Sequence, residues 1–524
     1  MRQFRHAMKR EALFPESPIA NPIIANRAAY CLERNETRAS TPVETNIEPL
    51  VLPRERRTER KAAKAPLRNA ELPSTYPQWA ANNFSYLNPD SNCTVIQNPL
   101  AEANHEFFEH PREMTEQMIA KQIIGSAPVA DRMLASGSLA PHFKALPPLS
   151  LYIHIPWCVR KCPYCDFNSH EAREPVPEQR YIDALIADLE GALPLVWGRK
   201  VYTVFFGGGT PSVFSQAGIE QIMAAVRARV ALSTDAEITL EANPGTFEVE
   251  KFHAFRKAGI NRLSIGIQSF NPRHLKALGR IHDGNEARAA IEIAREYFDN
   301  FNLDLMYGLP QQSVEEARAD IETALAFAPP HISAYHLTLE PNTYFHRYPP
   351  QLPDDDLAGN MQETIEAALA ASGYRHYETS AFALPGKQAR HNLNYWTFGD
   401  YLGVGAGAHS KLSFRDRVTR QARYKQPGQY MEQAAAGNAV QEQHDINADE
   451  IGFEFMMNAL RLNNGFPLVL FEERAGVPLT TLLKQLDRAE QKGLIVRDHR
   501  RIAPTALGRR FLNDLLQIFL PEHQ

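Results

Sequence analysis

Cysteine is scarce in this chain, five in 524 residues, which excludes the disulfide framework of a small secreted scaffold. Long apolar runs are missing too. No stretch approaches the roughly 18 residues of a membrane span, so membrane association is expected to be peripheral at most. The start lacks the pattern of a secretory signal, and the expected location is cytoplasmic. Charge of one sign is also lacking: 56 Lys and Arg face 61 Asp and Glu, a net charge of −5, which does not mark a nucleic-acid binder. What is there is globular composition, 44% hydrophobic and 22% charged, at a length that suggests about three domains.

Residues 1–148 read as a largely disordered extension, rich in proline and without a sustained period, with room for one short helix over 106–127. Its first 70 residues hold 14 basic and 8 acidic side chains, too many acids for an organellar presequence. Cys31 and Cys93 lie there as free thiols without ligand neighbours. From residue 149 short β-branched and aromatic runs alternate with amphipathic stretches, the pattern of an α/β protein with a parallel sheet. Strands are expected at 150–155, 202–206, 237–240, 262–267, 301–306 and 332–337. Helices are expected at 177–193, 216–230, 249–258, 285–297 and 314–327. Six such units make a partial (β/α)6 barrel over 149–383. Residues 384–445 form a linker region, and 446–524 a small helical, winged-helix-like domain. The bases of that last domain are interspersed with acids, so no nucleic acid is expected.

Reactive groups of such folds gather at the carboxyl ends of the strands. Every expected strand here ends in polar or glycine-rich sequence: the Cys158 loop, Gly207-Gly208-Gly209-Thr210, Glu241-Ala242-Asn243, Gln268-Ser269, Asp304 before Gly308, and His336 with Thr338. The sharpest signal is Cys158, Cys162 and Cys165, spaced C-x3-C-x2-C. Thiolates suit zinc or an iron-sulfur cluster, and Arg160 and Lys161 are placed to favour the deprotonated form. A zinc site would need His154 or His170 as fourth ligand; a cluster would keep one iron free of protein. Farther on, His391-Asn392-Leu393-Asn394-Tyr395-Trp396 sets an imidazole near flat aromatics that suit a porphyrin face. On a helix, His391 and Tyr395 would share a side, a placement that equally suits packing against the barrel. The glycine-rich run 401–410, which carries His409, reads as too flexible for a helix interior and as lining or closing the site. His391, His409 and His336 are all candidate iron ligands.

The string LYIHIPWCVRKCPYCDF with FFGGGTPS, GIQSF and DLMYGLP resembles the radical S-adenosylmethionine superfamily, and within it the oxygen-independent coproporphyrinogen III oxidase group, from about residue 149 to the C-terminus. That resemblance implies a [4Fe-4S] cluster on Cys158, Cys162 and Cys165. It also implies S-adenosylmethionine contacts at Tyr152, Gly208, Gly209, Thr210, Glu241, Gln268, Arg280, Asp304 and Thr338. The dehydrogenase of the group has a fourth cysteine where this chain has Phe167, which argues against that activity. The HNxxYW run is similar to the group's haem-chaperone branch. It implies haem as cargo, with His391, Asn392, Tyr395 and Trp396 as contacts and haem-accepting proteins such as respiratory enzymes as partners. The alternative is a radical oxidoreductase acting on coproporphyrinogen III.

Overall fold

Alternation decides the first element. In β1 (Leu149–Ile155) Leu149, Leu151, Ile153 and Ile155 are 1% exposed or less on one face, and Ser150, Tyr152 and His154 occupy the other. The computed structural model describes residues 140–246 and 249–521; the expected extension, with its helix at 106–127 and both its cysteines, lies up to residue 139 outside them. All six expected strands are present. They are β1, β2 (Lys200–Gly208), β3 (Ala231–Ala242), β4 (Arg262–Gln268), β5 (Phe301–Tyr307) and β6 (His331–His336), paired in parallel in chain order. Helices α1 (Glu178–Val196), α2 (Gln216–Arg229), α3 (Val249–Ala258), α4 (Gly284–Tyr297) and α5 (Val314–Ala326) fill the crossovers. Their starts follow local chemistry: Ser215 caps α2, and Asp283 with Glu286 and Ser313 with Glu316 form capping boxes on α4 and α5. The apolar strand faces pack on these helices. The inner face is polar, with Ser150, Thr203, Glu237, Ser264, Asn302 and His331 all buried.

The sheet is larger than expected, with 12 strands. After helix α6 (Asp355–Ala371), β7 (Arg375–Glu378) and β8 (Ala381–Ala383) form a hairpin on the edge of β6. Helix α7 (Arg390–Trp396) carries the HNLNYW run. β9 (Asp400–Val404) then pairs in parallel with β1 on the opposite edge, and β10 (His409–Ser413), β11 (Val418–Arg423) and β12 (Val440–Asp445) continue antiparallel. The glycine-rich run, read as too flexible for a helix interior, is mostly strand. Gly403 belongs there because a Cβ would come within 2.1 Å of the His409 carbonyl oxygen.

The added strands are locked by buried charge. Asp188 on α1 accepts from Arg423 Nε (3.2 Å) and Tyr430 Oη (3.0 Å), and Asp400 from Lys411 Nζ (3.0 Å) and Arg199 Nη2 (2.8 Å).

In the last stretch, helices Ala448–Ala459, Leu468–Ala475 and Leu483–Gln491 accompany a small antiparallel sheet of Phe466–Pro467, Arg501–Pro504 and Ile495–Arg497. This is the expected winged-helix-like shape, with the final helix broken at Phe511. Phe143 is buried in its core, and His142 N donates to Gly476 O (2.8 Å), so residues just before β1 are packed here. Several of its bases are spent on acids, Arg497 on Asp487 and Glu490, and Arg510 on Glu363.

Candidate functional site

The carboxyl ends of the strands surround a cavity of about 250 Å³. Cys158, Cys162 and Cys165 line it as free thiols on the loop that leaves β1. Trp157–Cys158 pairs with His170–Glu171, which closes the loop at its base. His154 Nε2 donates to Asn168 O (2.9 Å), leaving Nδ1 to accept from the Tyr152 hydroxyl (3.1 Å). Asn168 Nδ2 in turn donates to Ala406 O and Lys425 O, both at 2.9 Å, so the added strands clamp the cysteine loop from outside. Lys161, expected to favour thiolates, instead donates to Ser169 O (2.9 Å) and Phe167 O (3.3 Å). Burial dominates the thiols, raising that of Cys158 and lifting that of Cys165 to about 11.

A chain of polar side chains joins two of the cysteines through three strand ends. The Thr210 hydroxyl bonds the Cys158 thiol, and Asn243 Nδ2 donates to Thr210 Oγ1 (2.9 Å). Arg280 donates through Nη2 to Asn243 Oδ1 and Gly266 O, the latter at 2.7 Å, and through Nη1 to Cys162 Sγ (3.5 Å). Asn243 was not singled out from sequence; its position in EANPG at a strand end was the available signal. Gln268, also in the lining, has φ +65°, a left-handed conformation that a side-chain-bearing residue holds only under constraint.

Two acids sit deeper. Glu241 accepts from Gly208 N, yet burial and the charge of Asp304 raise its carboxyl to about 8. Burial raises Asp304 as well, though it accepts from Ser264 Oγ and Asn302 Nδ2, both at 2.8 Å. Thr338 donates to Glu340 Oε1, both in the lining.

Of the residues expected to contact S-adenosylmethionine, Gly209, Thr210, Glu241, Gln268, Arg280, Asp304 and Thr338 line this one cavity, while Tyr152 and Gly208 are not part of its lining. Gly208, at φ +112°, is required locally, since a Cβ would fall 2.5 Å from the His154 ring.

None of His391, Asn392, Tyr395 and Trp396 lines the cavity. His391 is 1% exposed and packed at the amino ends of the strands. Its Nδ1 donates to the Thr203 hydroxyl (2.8 Å), whose own proton goes to Ser150, and its Nε2 accepts from Tyr395 Oη (3.3 Å). Both ring nitrogens are therefore engaged. Of the other candidate histidines, His336 lines the cavity, 5.2 Å from the Tyr307 ring, and His409 begins β10 outside it.

The donor set fits a cluster better than zinc. Among the described residues no three His, Cys, Asp or Glu side chains converge as one metal ion requires, and His154 has no nitrogen to spare. A cubane takes one thiolate per iron and therefore wants its sulfurs apart. The Arg280 guanidinium beside Cys162 complements the negative charge of a thiolate-bound cluster.

Three thiols at the mouth of a parallel barrel are the constellation of the Radical SAM superfamily, which the chain matches over residues 152–324; residues 446–511 match the HemN C-terminal domain. The solved structure described as "Coproporphyrinogen III oxidase (HemN) from Escherichia coli is a Radical SAM enzyme" is similar at a TM-score of 0.62 and 27% identity, covering 71% of this chain and 90% of that one. Among curated relatives, "Heme chaperone HemW" of Escherichia coli (strain K12) is 48% identical over 381 residues, 72% of this chain and 99% of that protein. The protein of the same name from Bacillus subtilis (strain 168) is 34% identical over 71% and 99%. The chain belongs to the HemW family of radical SAM proteins, the branch to which its HNLNYW run pointed.

Proposed function

We propose that this protein binds haem and hands it to acceptor haem proteins such as respiratory enzymes. The observation that carries the reading is its likeness, along 99% of their length, to relatives named heme chaperones. Cys158, Cys162 and Cys165 hold a [4Fe-4S] cluster, and S-adenosylmethionine occupies the cavity beneath it. When bound, these groups supply one-electron chemistry. The chain's own part is positional: Arg280 fixes Cys162 and offers a cation to a carboxylate, Gly209 lets a ligand approach the backbone, and Glu241, kept protonated by burial, donates a hydrogen bond. The protein works in the cytoplasm, with at most peripheral contact with a membrane; among the described residues no helix is long and apolar enough to cross one.

A second reading, coproporphyrinogen III dehydrogenase, draws on the structural likeness to HemN. Against it stands Phe167, an apolar side chain in the cavity lining where the dehydrogenase has a cysteine. The deciding experiment incubates anaerobically reconstituted protein with S-adenosylmethionine, a strong reductant and coproporphyrinogen III, then separates porphyrins after reoxidation. No vinyl-bearing product from protein with an intact cluster, together with haem transfer to an apo-acceptor, is the expected result. A vinyl product overturns the chaperone reading.

A further inference from the structure

One residue of the cavity lining comes from the C-terminal domain. Arg461 follows the helix Ala448–Ala459, and its backbone is held on both sides: its N donates to Asn458 O (3.2 Å) and its carbonyl accepts from Thr379 N (3.1 Å). Beside that contact Glu378 and Leu462 form an antiparallel bridge. The Arg461 guanidinium carbon lies 5.0 Å from the ring centroid of Trp396, and the two side chains are 7% and 5% exposed. Trp396 also packs with Tyr395, Tyr401 and Leu462. Helix α7, none of whose residues lines the cavity, thus touches one that does.

The other two arginines of the lining are placed differently. Arg280 is committed to Cys162, Asn243 and Gly266, and Arg160 sits on the exposed outer part of the cysteine loop. Arg461 is the buried cation on the wall supplied by the C-terminal domain. Stacking on an indole holds a guanidinium in one plane while leaving its edge to hydrogen-bond, and its five donors can serve more than one acceptor, an incoming carboxylate among them.

We propose that Arg461 recognises a carboxylate of the tetrapyrrole cargo and that Trp396 positions it, so that the HNLNYW helix acts on cargo through this arginine. The assignment rests on the cargo reading above.

The test titrates the full-length, cluster-reconstituted protein with haemin and with haemin dimethyl ester, which differ only in the two carboxylates. The wild type is expected to bind the diacid at least about tenfold more tightly. Arg461→Gln should remove most of that preference, Trp396→Leu should remove it to a similar extent, and the double variant should lose no more than either single one. Wild-type protein that binds acid and ester alike overturns the assignment without any variant. So does a preference that survives Arg461→Gln, or a loss that falls on S-adenosylmethionine binding instead of on haemin. If the wild type binds neither porphyrin, the cargo reading itself fails.

Discussion

The two ends of the barrel are built from similar polar residues and do opposite things. At the carboxyl ends, Arg280 Nε and Glu340 Oε2 are buried without a hydrogen-bond partner, Gln268 is held at positive φ, and the thiols face a cavity. At the amino ends a paired polar cluster surrounds helix α7, although Arg199 Nη1, Arg262 Nε, Asn300 Oδ1 and Trp396 Nε1 are also buried without a hydrogen-bond partner there. Glu237 accepts from Arg390 N (3.2 Å) and His391 N (3.0 Å), capping α7 with a carboxylate. Asn394 Nδ2 donates to Ser150 Oγ and Asp400 O, both at 2.8 Å, and His391 bridges Thr203 and Tyr395. The paired cluster around His391 rigidifies its end of the fold; the carboxyl ends differ in turning their polar groups onto a cavity. The HNLNYW helix is a floor beneath the barrel, and the cavity opens at the opposite end.

The comparison can be broken most sharply at the cysteines. Cys162→Ser should reduce bound iron and acid-labile sulfide from about four each to near zero, with the circular dichroism of the fold retained; a full [4Fe-4S] spectrum would refute the metal assignment. Next comes Arg280→Met, which removes the cation linking Cys162, Asn243 and Gly266. Losing charge-assisted bonds worth about 1.5–3 kcal/mol should weaken S-adenosylmethionine binding roughly ten- to a hundredfold, as read by equilibrium dialysis.

At the floor, His391→Ala should cost about 2–4 kcal/mol of stability, by opening a cavity and leaving the Tyr395 hydroxyl unpaired. Urea denaturation measures the loss. Cluster content and the haem affinity of the folded fraction should stay level, whereas a normal midpoint with lost haem would make His391 a ligand and erase the distinction between the two ends.

The smallest effect is in pH, and there the ends have opposite signs. Burial and the charge of Arg262 lower His391 to about 3. The unfolded chain protonates this histidine below about 6.5 while the folded one does not, so its contribution is complete above that pH and is lost as pH falls, by about 2 kcal/mol at pH 5. Glu241, raised to about 8, keeps its proton in the folded state; its contribution is complete below about 4.5 and is lost as pH rises through 8. Urea midpoints against pH should therefore fall less steeply on the acid side in His391→Gln and on the alkaline side in Glu241→Gln. Unchanged slopes in both would remove the electrostatic contrast.

Much of this was legible beforehand because it is local. The six parallel strands show as alternating or continuous apolar runs, the capping boxes as Asp283 with Glu286 and Ser313 with Glu316, and the cysteine loop as a spacing. The extra strands were not legible, since Lys411, Arg420, Gln421 and Arg423 read as surface. All four are 4% exposed or less, and for three of them the reason is a distant partner: Asp400 for Lys411, Glu454 for Arg420 and Asp188 for Arg423.

By itself the sequence determined the barrel, its small C-terminal domain, the family and the three cysteines, because periodicity and close spacing act over a few residues. Only the tertiary structure decided that Asn243 joins Cys158 to Cys162, that Arg461 enters the cavity from another domain, and that His391 faces the floor. Which end of a barrel a helix closes depends on contacts across some 190 residues of chain, from His391 to Thr203, and no local pattern encodes that distance.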